Sequence, residues 1–247
     1  MATGGYNKFS FKTGRVLLSE GRLDKRFFRK LIEVRGLDAF DMPWPWVEGE
    51  PLLNPTENYF GRDSFDKMLE VLDVYIGTKI SRIKGILIVV DAGDEPDQTF
   101  QDVRSQIQTV REKQKAEKFP LPSRPMKVSH GKGNMPSIAV MLVPLSGGGS
   151  LETLCVDYLK SHKSKKYSGV YNNVKTFLTT QPTDISTWSK ERRGKAYLQC
   201  MLASTHERNP SLHAQQSFSG QSPIIDLKDS FFDSVCNQIV NFRNQLP

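Results

Sequence analysis

The segment Gly85-Ile86-Leu87-Ile88-Val89-Val90-Asp91-Ala92-Gly93-Asp94-Glu95 joins an uninterrupted apolar run to a cluster of acidic residues. Five of the six residues from Ile86 to Asp91 are Ile, Leu or Val, a pattern typical of a strand buried on both faces of a parallel sheet. In open α/β sheets, ligands bind beyond the carboxyl ends of the strands. The segment therefore predicts a central strand that is followed directly by candidate functional carboxylates.

A second segment shows the same pattern of an apolar run followed by acidic residues. Arg15-Val16-Leu17-Leu18-Ser19 predicts a buried strand, and Glu20 and Asp24 follow it on either side of the start of a helical pattern. Two buried strands that each end in acid predict a carboxylate cluster able to hold a hard divalent cation, Mg²⁺ or Mn²⁺. For each acid alone, capping of the helix that follows it is the alternative.

Strands and helices alternate over the first two thirds of the chain. This alternation predicts an α/β fold over residues 10–160, a Rossmann-like and mostly parallel sheet flanked by helices. Residues 161–247 are predicted to form a helical extension that packs on this core, so that the two parts make one structural domain. The predicted elements, from apolar periodicity, are strands at 15–19, 85–90 and 137–144, an irregular or edge segment at 38–50, and helices at 22–34, 64–76, 96–118, 151–160, 168–180, 187–205 and 229–246.

The overall composition narrows the classes of function. The 247 residues carry a net charge of +7, so nucleic acid or another polyanion is a reasonable partner. Cys155, Cys200 and Cys236 stand far apart without a CxxC pair, which argues against structural zinc. The polar start of the chain and the absence of a long apolar run predict a cytoplasmic protein without membrane segments. A homo-oligomer is compatible with the sequence.

Two motifs resemble those of Toprim proteins. Residues 17–28 resemble the opening Toprim motif, a strand followed by Glu20-Gly21 and a second acid, Asp24. Residues 86–91 and the acids after them resemble the second motif, a strand that ends in Asp-x-Asp. Together with 149–154 and 223–232, they resemble the small, mostly bacterial Toprim-like family of the DUF3226 type, which is related to the overcoming-lysogenization-defect group of Toprim nucleases.

The resemblance implies a Mg²⁺-dependent Toprim-type nuclease or phosphoryl-transfer protein that acts on DNA or RNA. Because the chain has no Walker motif, an ATPase partner of the kind that many Toprim nucleases use would be a separate protein. The implied catalytic residues are Glu20, as general acid or base, and Lys195, which would stabilise charge on the phosphate. The implied metal ligands are Glu20, Asp24, Asp91, Asp94 and Glu152.

One position departs from the Toprim pattern. Gly93 stands where the motif has its second Asp, and the next acid, Asp94, comes one residue late. The alternative function is therefore a non-catalytic Toprim-like module that binds nucleic acid or a protein. For Asp94 and Glu152, a role at a helix N-terminus is the alternative to metal binding.

Further expectations concern the glycines and the basic residues. Gly147-Gly148-Gly149 lacks the Gly-Lys-Ser/Thr ending of a phosphate-binding P-loop and predicts a turn. The basic residues between Lys160 and Lys195 predict a phosphate-binding surface, with a solvated basic face as the alternative. Because Glu20 and Asp91 close strands expected to be neighbours, we expect their carboxylates to reach one cation.

Overall fold

The computed structural model describes residues 11–43, 61–76, 83–114, 118–161, 165–181, 184–205, 214–218 and 223–247. Its strands are β1 (Arg15–Ser19), β2 (Gly85–Asp91) and β3 (Ser137–Val143). Its helices are α1 (Arg22–Val34), α2 (Phe65–Ile76), α3 (Pro96–Lys113), α4 (Leu151–Ser161), α5 (Lys165–Thr179), α6 (Lys190–Thr205) and α7 (Asp233–Asn244).

The strands form a parallel three-stranded sheet in the order β1-β2-β3, with helices flanking it. β1 and β2 pair in a register that runs from Arg15 opposite Gly85 to Ser19 opposite Val89. Every residue of β2 and β3 is buried, which explains why both strands are almost wholly apolar. The predicted α/β class is confirmed, and the arrangement is consistent with a Rossmann-like sheet.

The helix after β1 follows its predicted apolar stripe. Phe27, Phe28, Leu31 and Ile32 of α1 are buried, at the spacing that places them on one face. Gly36, with φ of +60°, follows the last turn in the left-handed conformation that glycine adopts without strain. The same helix also buries Lys25 completely, a feature that the apolar pattern did not predict.

Several element boundaries differ from the prediction. α3 ends at Lys113 rather than residue 118, and α7 begins at Asp233 rather than 229. A 3₁₀ turn at Ser230–Phe232 precedes α7, because the Asp229 carboxylate accepts the Phe231 N–H at 2.8 Å. In the predicted edge segment, Asp41 forms an isolated parallel bridge with Val16, and residues 44–50 lie outside the described part of the chain.

Contacts between residues divide the chain into two units. The first contains the described residues of Met1–Val90, Phe100–Met141 and Cys236–Pro247, and the second those of Asp91–Thr99 and Leu142–Val235. Both units are discontinuous in sequence. The second unit therefore combines α4, α5 and α6 with the last residue of β2 and the residues from 92 to 99. The predicted organisation, a core over 10–160 with an extension over 161–247, stays a prediction.

Candidate functional site

In the first unit, Asp24 is held against the start of its own helix. Its Oδ2 accepts the backbone N–H of Gly21 at 2.8 Å, in the manner of the acidic residue of a capping box. The neighbouring Glu20 forms an ion pair with Arg62, with 3.4 Å between Oε1 and Nε. Asp24 thus has the helix-terminal role named as the alternative, and metal binding by Glu20 and Asp24 stays a prediction.

In the second unit, Asp91 ends β2 and is only 9% exposed. Its Oδ1 accepts the backbone N–H of Leu151 at 2.9 Å, at the first residue of α4. The carboxylate therefore satisfies an N–H that the helix itself leaves unpaired, and its negative charge lies at the positive end of that helix. The helix that Asp91 caps through this bond is α4, not the next helix in sequence, α3, and metal binding by Asp91 stays a prediction.

Asp94 has a similar relation to α6. Its Oδ1 accepts the backbone N–H of Lys190 at 2.6 Å, at the start of that helix. The sequence alternative placed this carboxylate at the cap of α3, which is wrong. Metal binding by Asp94 stays a prediction.

The glycine at the departure from the Toprim pattern has a structural role. Gly93 has a φ of +65°, and its N–H and carbonyl bond reciprocally to Gly149 at 2.8 and 2.6 Å. A Cβ at Gly148 would lie 2.6 Å from the Gly93 carbonyl oxygen, and one at Gly149 would lie 2.5 Å from Thr153 Oγ1. The predicted turn at 147–149 is thus a tightly packed loop that needs its glycines.

Helices α4 and α6 approach each other closely at a second glycine. Gly194 is buried in α6, and a Cβ there would lie 3.1 Å from the backbone nitrogen of Thr153 and closer still to its hydroxyl. Gly194 was not among the predicted site residues, although a glycine inside a helical pattern is the expected signal of close packing. This contact brings the backbone of α6 at Gly194, the residue before Lys195, against the first turn of α4.

Lys195 lies among carboxylates. Its ammonium bonds to Glu191 one turn earlier in α6. Partial burial lowers the pKa of Lys195, but the Glu191 bond and the charges of Glu152, Glu191 and Asp91 outweigh burial and raise it above 10.5 overall. Of the predicted site residues, Asp91 and Glu152 therefore lie close enough for their charges to favour the protonated form of Lys195.

Oxygen ligands are the chemistry that these carboxylates offer. Mg²⁺ is commonly held by one or two carboxylates together with waters and substrate phosphates, so Asp91 and Glu152 are suitable donors. Among the residues that the structure describes, no three His, Cys, Asp or Glu side chains form a metal-binding group. A site that uses these donors would therefore need oxygens from water or substrate.

A cleft of about 480 Å³ opens in the second unit, lined by the glycine loop and by residues of α4, α5 and α6. Thr153 and Gly194, the sequence neighbours of Glu152 and Lys195, are part of its wall. Lys175, Lys190 and Arg193 also line it. Lys163 of the predicted basic surface is outside the described residues, as are the side chains of Lys165 and Lys166.

The family model of a protein of unknown function, DUF3226, matches residues 14–243. No curated protein and no solved structure matches the chain. In the described part of the chain, no helix has both the length and the apolar character required to cross a bilayer. Because the family match spans most of its length, the chain belongs to the DUF3226 family, and that part of the resemblance is confirmed.

Proposed function

We propose that this member of the DUF3226 family is a Mg²⁺-dependent, Toprim-type enzyme that cleaves phosphodiester bonds of nucleic acid. The proposal is carried by the geometry at the start of α4, where Asp91 accepts the Leu151 N–H and Gly194, the residue before Lys195, packs against Thr153, the residue after Glu152. Carboxylates for a metal and a cation for the phosphate are the parts that phosphodiester hydrolysis requires. The net charge of +7 supports a polyanionic substrate.

In this proposal, Asp91 and Glu152 hold Mg²⁺ or Mn²⁺ through their oxygens. The bound metal supplies Lewis-acid polarisation of a phosphoryl oxygen. Asp91 is fixed by its bond to the Leu151 N–H, so it meets a ligand without first losing side-chain freedom. Metal binding by Glu20, Asp24 and Asp94, and the role of Glu20 as general acid or base, stay predictions.

Lys195 acts in this proposal as a fixed positive charge. Because its pKa is raised above 10.5, the side chain stays protonated at neutral pH and cannot serve as a general base there. The contribution of its ion pair with Glu191 to stability is fully present below pH 10.5 and is lost only as the pH rises through the folded-state pKa. A protonated lysine stabilises negative charge that develops on the phosphate oxygens.

The first prediction concerns metal dependence. We expect the protein to cleave labelled DNA or RNA with Mg²⁺ or Mn²⁺ and to lose this activity when excess EDTA removes the metal. Calorimetric titration with Mn²⁺ should show binding that Glu152→Gln weakens and Asp226→Asn, a change at an exposed acid of the same unit, leaves intact. A protein that neither binds Mn²⁺ nor cleaves either nucleic acid would contradict the proposal.

The second prediction concerns Lys195. We expect Lys195→Gln to lower the rate of cleavage by about 100-fold, the usual cost of removing one group that stabilises transition-state charge. Lys195→Arg should retain a larger share of the rate, because it keeps the positive charge. Single-turnover rates at saturating Mg²⁺ measure both variants. Equal rates for Lys195→Gln and the wild-type protein would show that Lys195 has no catalytic role.

The second candidate function is a Toprim-like module that binds nucleic acid or a protein without cleaving nucleic acid. Gly93 favours it, because the position that carries a ligand in the Toprim motif is used here for a backbone turn with φ of +65°. Binding of DNA or RNA without cleavage in either metal would favour this candidate. We also propose, for either function, that the protein acts with a separate ATPase partner and is located in the cytoplasm.

A further inference from the structure

We propose that the cleft in the second unit binds one nucleotide, with its phosphate at Lys175, Lys190 and Arg193 and its base against Tyr197. The cleft's volume of about 480 Å³ lies within the range of about 300–1,000 Å³ that small-molecule sites occupy. This inference deepens the proposed function and rests on it for the chemistry that follows binding. Binding itself can be measured without a metal.

The cations that line the cleft have few competing partners. Among the described residues, the side chains of Lys175 and Arg193 make no hydrogen bond or ion pair. Lys190 uses one of its three ammonium donors on the Gly147 carbonyl, at 3.1 Å. Donors that the protein leaves unused at the wall of one cleft are suited to an anion with several oxygens, such as a phosphate.

Two carboxylates also line the cleft. Asp184 is occupied by the turn that it starts, because its Oδ1 accepts the Ser186 N–H at 2.9 Å. Asp157 is close to Lys160, which lowers its pKa, although burial has the larger effect and raises it overall. With Lys175, Lys190 and Arg193 opposing these two acids, the wall keeps an excess of positive charge.

An aromatic pair makes up another part of the wall. The rings of Tyr171 and Tyr197 stack with centroids 5.6 Å apart and an interplanar angle of 24°. Lys160 lies over the ring of Tyr171, 5.2 Å from its centroid, so we assign the base to Tyr197. Burial, and to a smaller extent Tyr171, raises the pKa of the Tyr197 phenol, while Arg193, one turn earlier in α6, is close enough to oppose that shift.

Phosphate donors and an aromatic ring in one cleft match the two ends of a nucleotide. Stacking of a base on an aromatic side chain contributes about 1–3 kcal/mol and tolerates any base. An inorganic anion would use only the basic residues, and an uncharged nucleoside would use only the ring. A nucleotide is the ligand class that uses both, either as a free molecule or as one unit of a strand.

Calorimetric titration in EDTA, with adenosine monophosphate, adenosine and inorganic phosphate as probes, tests the proposal. Adenosine monophosphate should bind at least about tenfold more tightly than either fragment, because it gains both sets of contacts. Arg193→Gln and Lys175→Gln should each weaken its binding by about tenfold, the loss expected for one charge-assisted contact. Tyr197→Leu should weaken the binding of adenosine monophosphate but leave the binding of inorganic phosphate unchanged.

Lys228→Gln is the matched control, because Lys228 is an exposed lysine of the same unit that does not line the cleft. Unchanged affinity in both Arg193→Gln and Lys175→Gln, or equal affinities for adenosine monophosphate and inorganic phosphate, would overturn the proposal. If a 5′-phosphorylated oligonucleotide binds more tightly than the monophosphate, the ligand of the cleft is one unit of a nucleic-acid strand. If the monophosphate binds more tightly, the ligand is a free nucleotide.

The same titrations separate this inference from the proposed function. If the protein binds nucleotide in EDTA but never cleaves nucleic acid, the proposed nuclease activity is contradicted and the proposed nucleotide site is supported. The opposite result is metal-dependent cleavage that Arg193→Gln and Lys175→Gln leave unchanged, without nucleotide binding. It would contradict the nucleotide site and support the nuclease activity.

Discussion

Asp91→Asn is expected to lower metal-dependent cleavage by about 1,000-fold or more while the free energy of unfolding stays nearly unchanged. Asparagine can still accept the Leu151 N–H, and it caps helices as well as aspartate does. Under the proposed function, it lacks the negative charge with which Asp91 would hold Mg²⁺, and loss of several kcal/mol of metal assistance corresponds to that decrease in rate. Single-turnover cleavage and urea unfolding measure the two quantities.

Asp91→Ala serves as the companion variant, because it removes the cap and the charge together. We expect it to lose the same activity and, in addition, about 1 kcal/mol of stability, the usual cost of deleting an N-terminal cap. A large loss of stability in Asp91→Asn, with unchanged affinity for Mn²⁺, would instead show that the charge of Asp91 serves only the fold.

Gly194→Ala is expected to destabilise the protein by about 2 kcal/mol or more. The new methyl group would enter the space of the Thr153 hydroxyl and approach its backbone nitrogen to 3.1 Å. Overpacking of this kind costs about 1–3 kcal/mol, more than the gain in helix propensity from glycine to alanine. Thr153 Oγ1 also accepts the Ser150 N–H at 3.1 Å, so a displaced Thr153 would weaken the start of α4 as well.

Gly169→Ala provides the matched control. Gly169 also lies inside a helix, α5, but a Cβ there would meet nothing within 4 Å. Because alanine is the better helix former by about 1 kcal/mol, this substitution should stabilise the protein slightly. Urea denaturation should therefore move the two midpoints in opposite directions, and equal shifts would show that Gly194 makes no special contact.

The fold class was predictable because its signal is local. The apolar runs of β2 and β3 are continuous, and every residue in them is buried, so sequence pattern and burial agree. The stripe of α1 has the same property, since Phe27, Phe28 and Leu31 are all buried. Helix ends were less predictable, because the residues from 230 to 232 form a 3₁₀ turn rather than the first turn of α7.

The roles of the acids were less predictable because they depend on residues far away in sequence. Nothing near Asp94 indicates that it will cap a helix that begins at Lys190, although its proximity to Pro96 makes α3 the obvious choice. The requirement for glycine at position 149 could not be predicted from the sequence either, because it depends on pairing with Gly93 and on contact with Thr153. The surroundings of Lys195 depend in turn on how α6 packs against α4.

The distant caps also bear on the order in which the chain folds. Asp91 and Leu151 are separated by 60 positions, and Asp94 and Lys190 by 96. Closing such long loops costs entropy before any contact forms, so these two bonds should be made after the rate-limiting barrier. Losing the Asp91 cap should then speed unfolding and leave the refolding rate almost unchanged, so the caps help to set the lifetime of the native second unit.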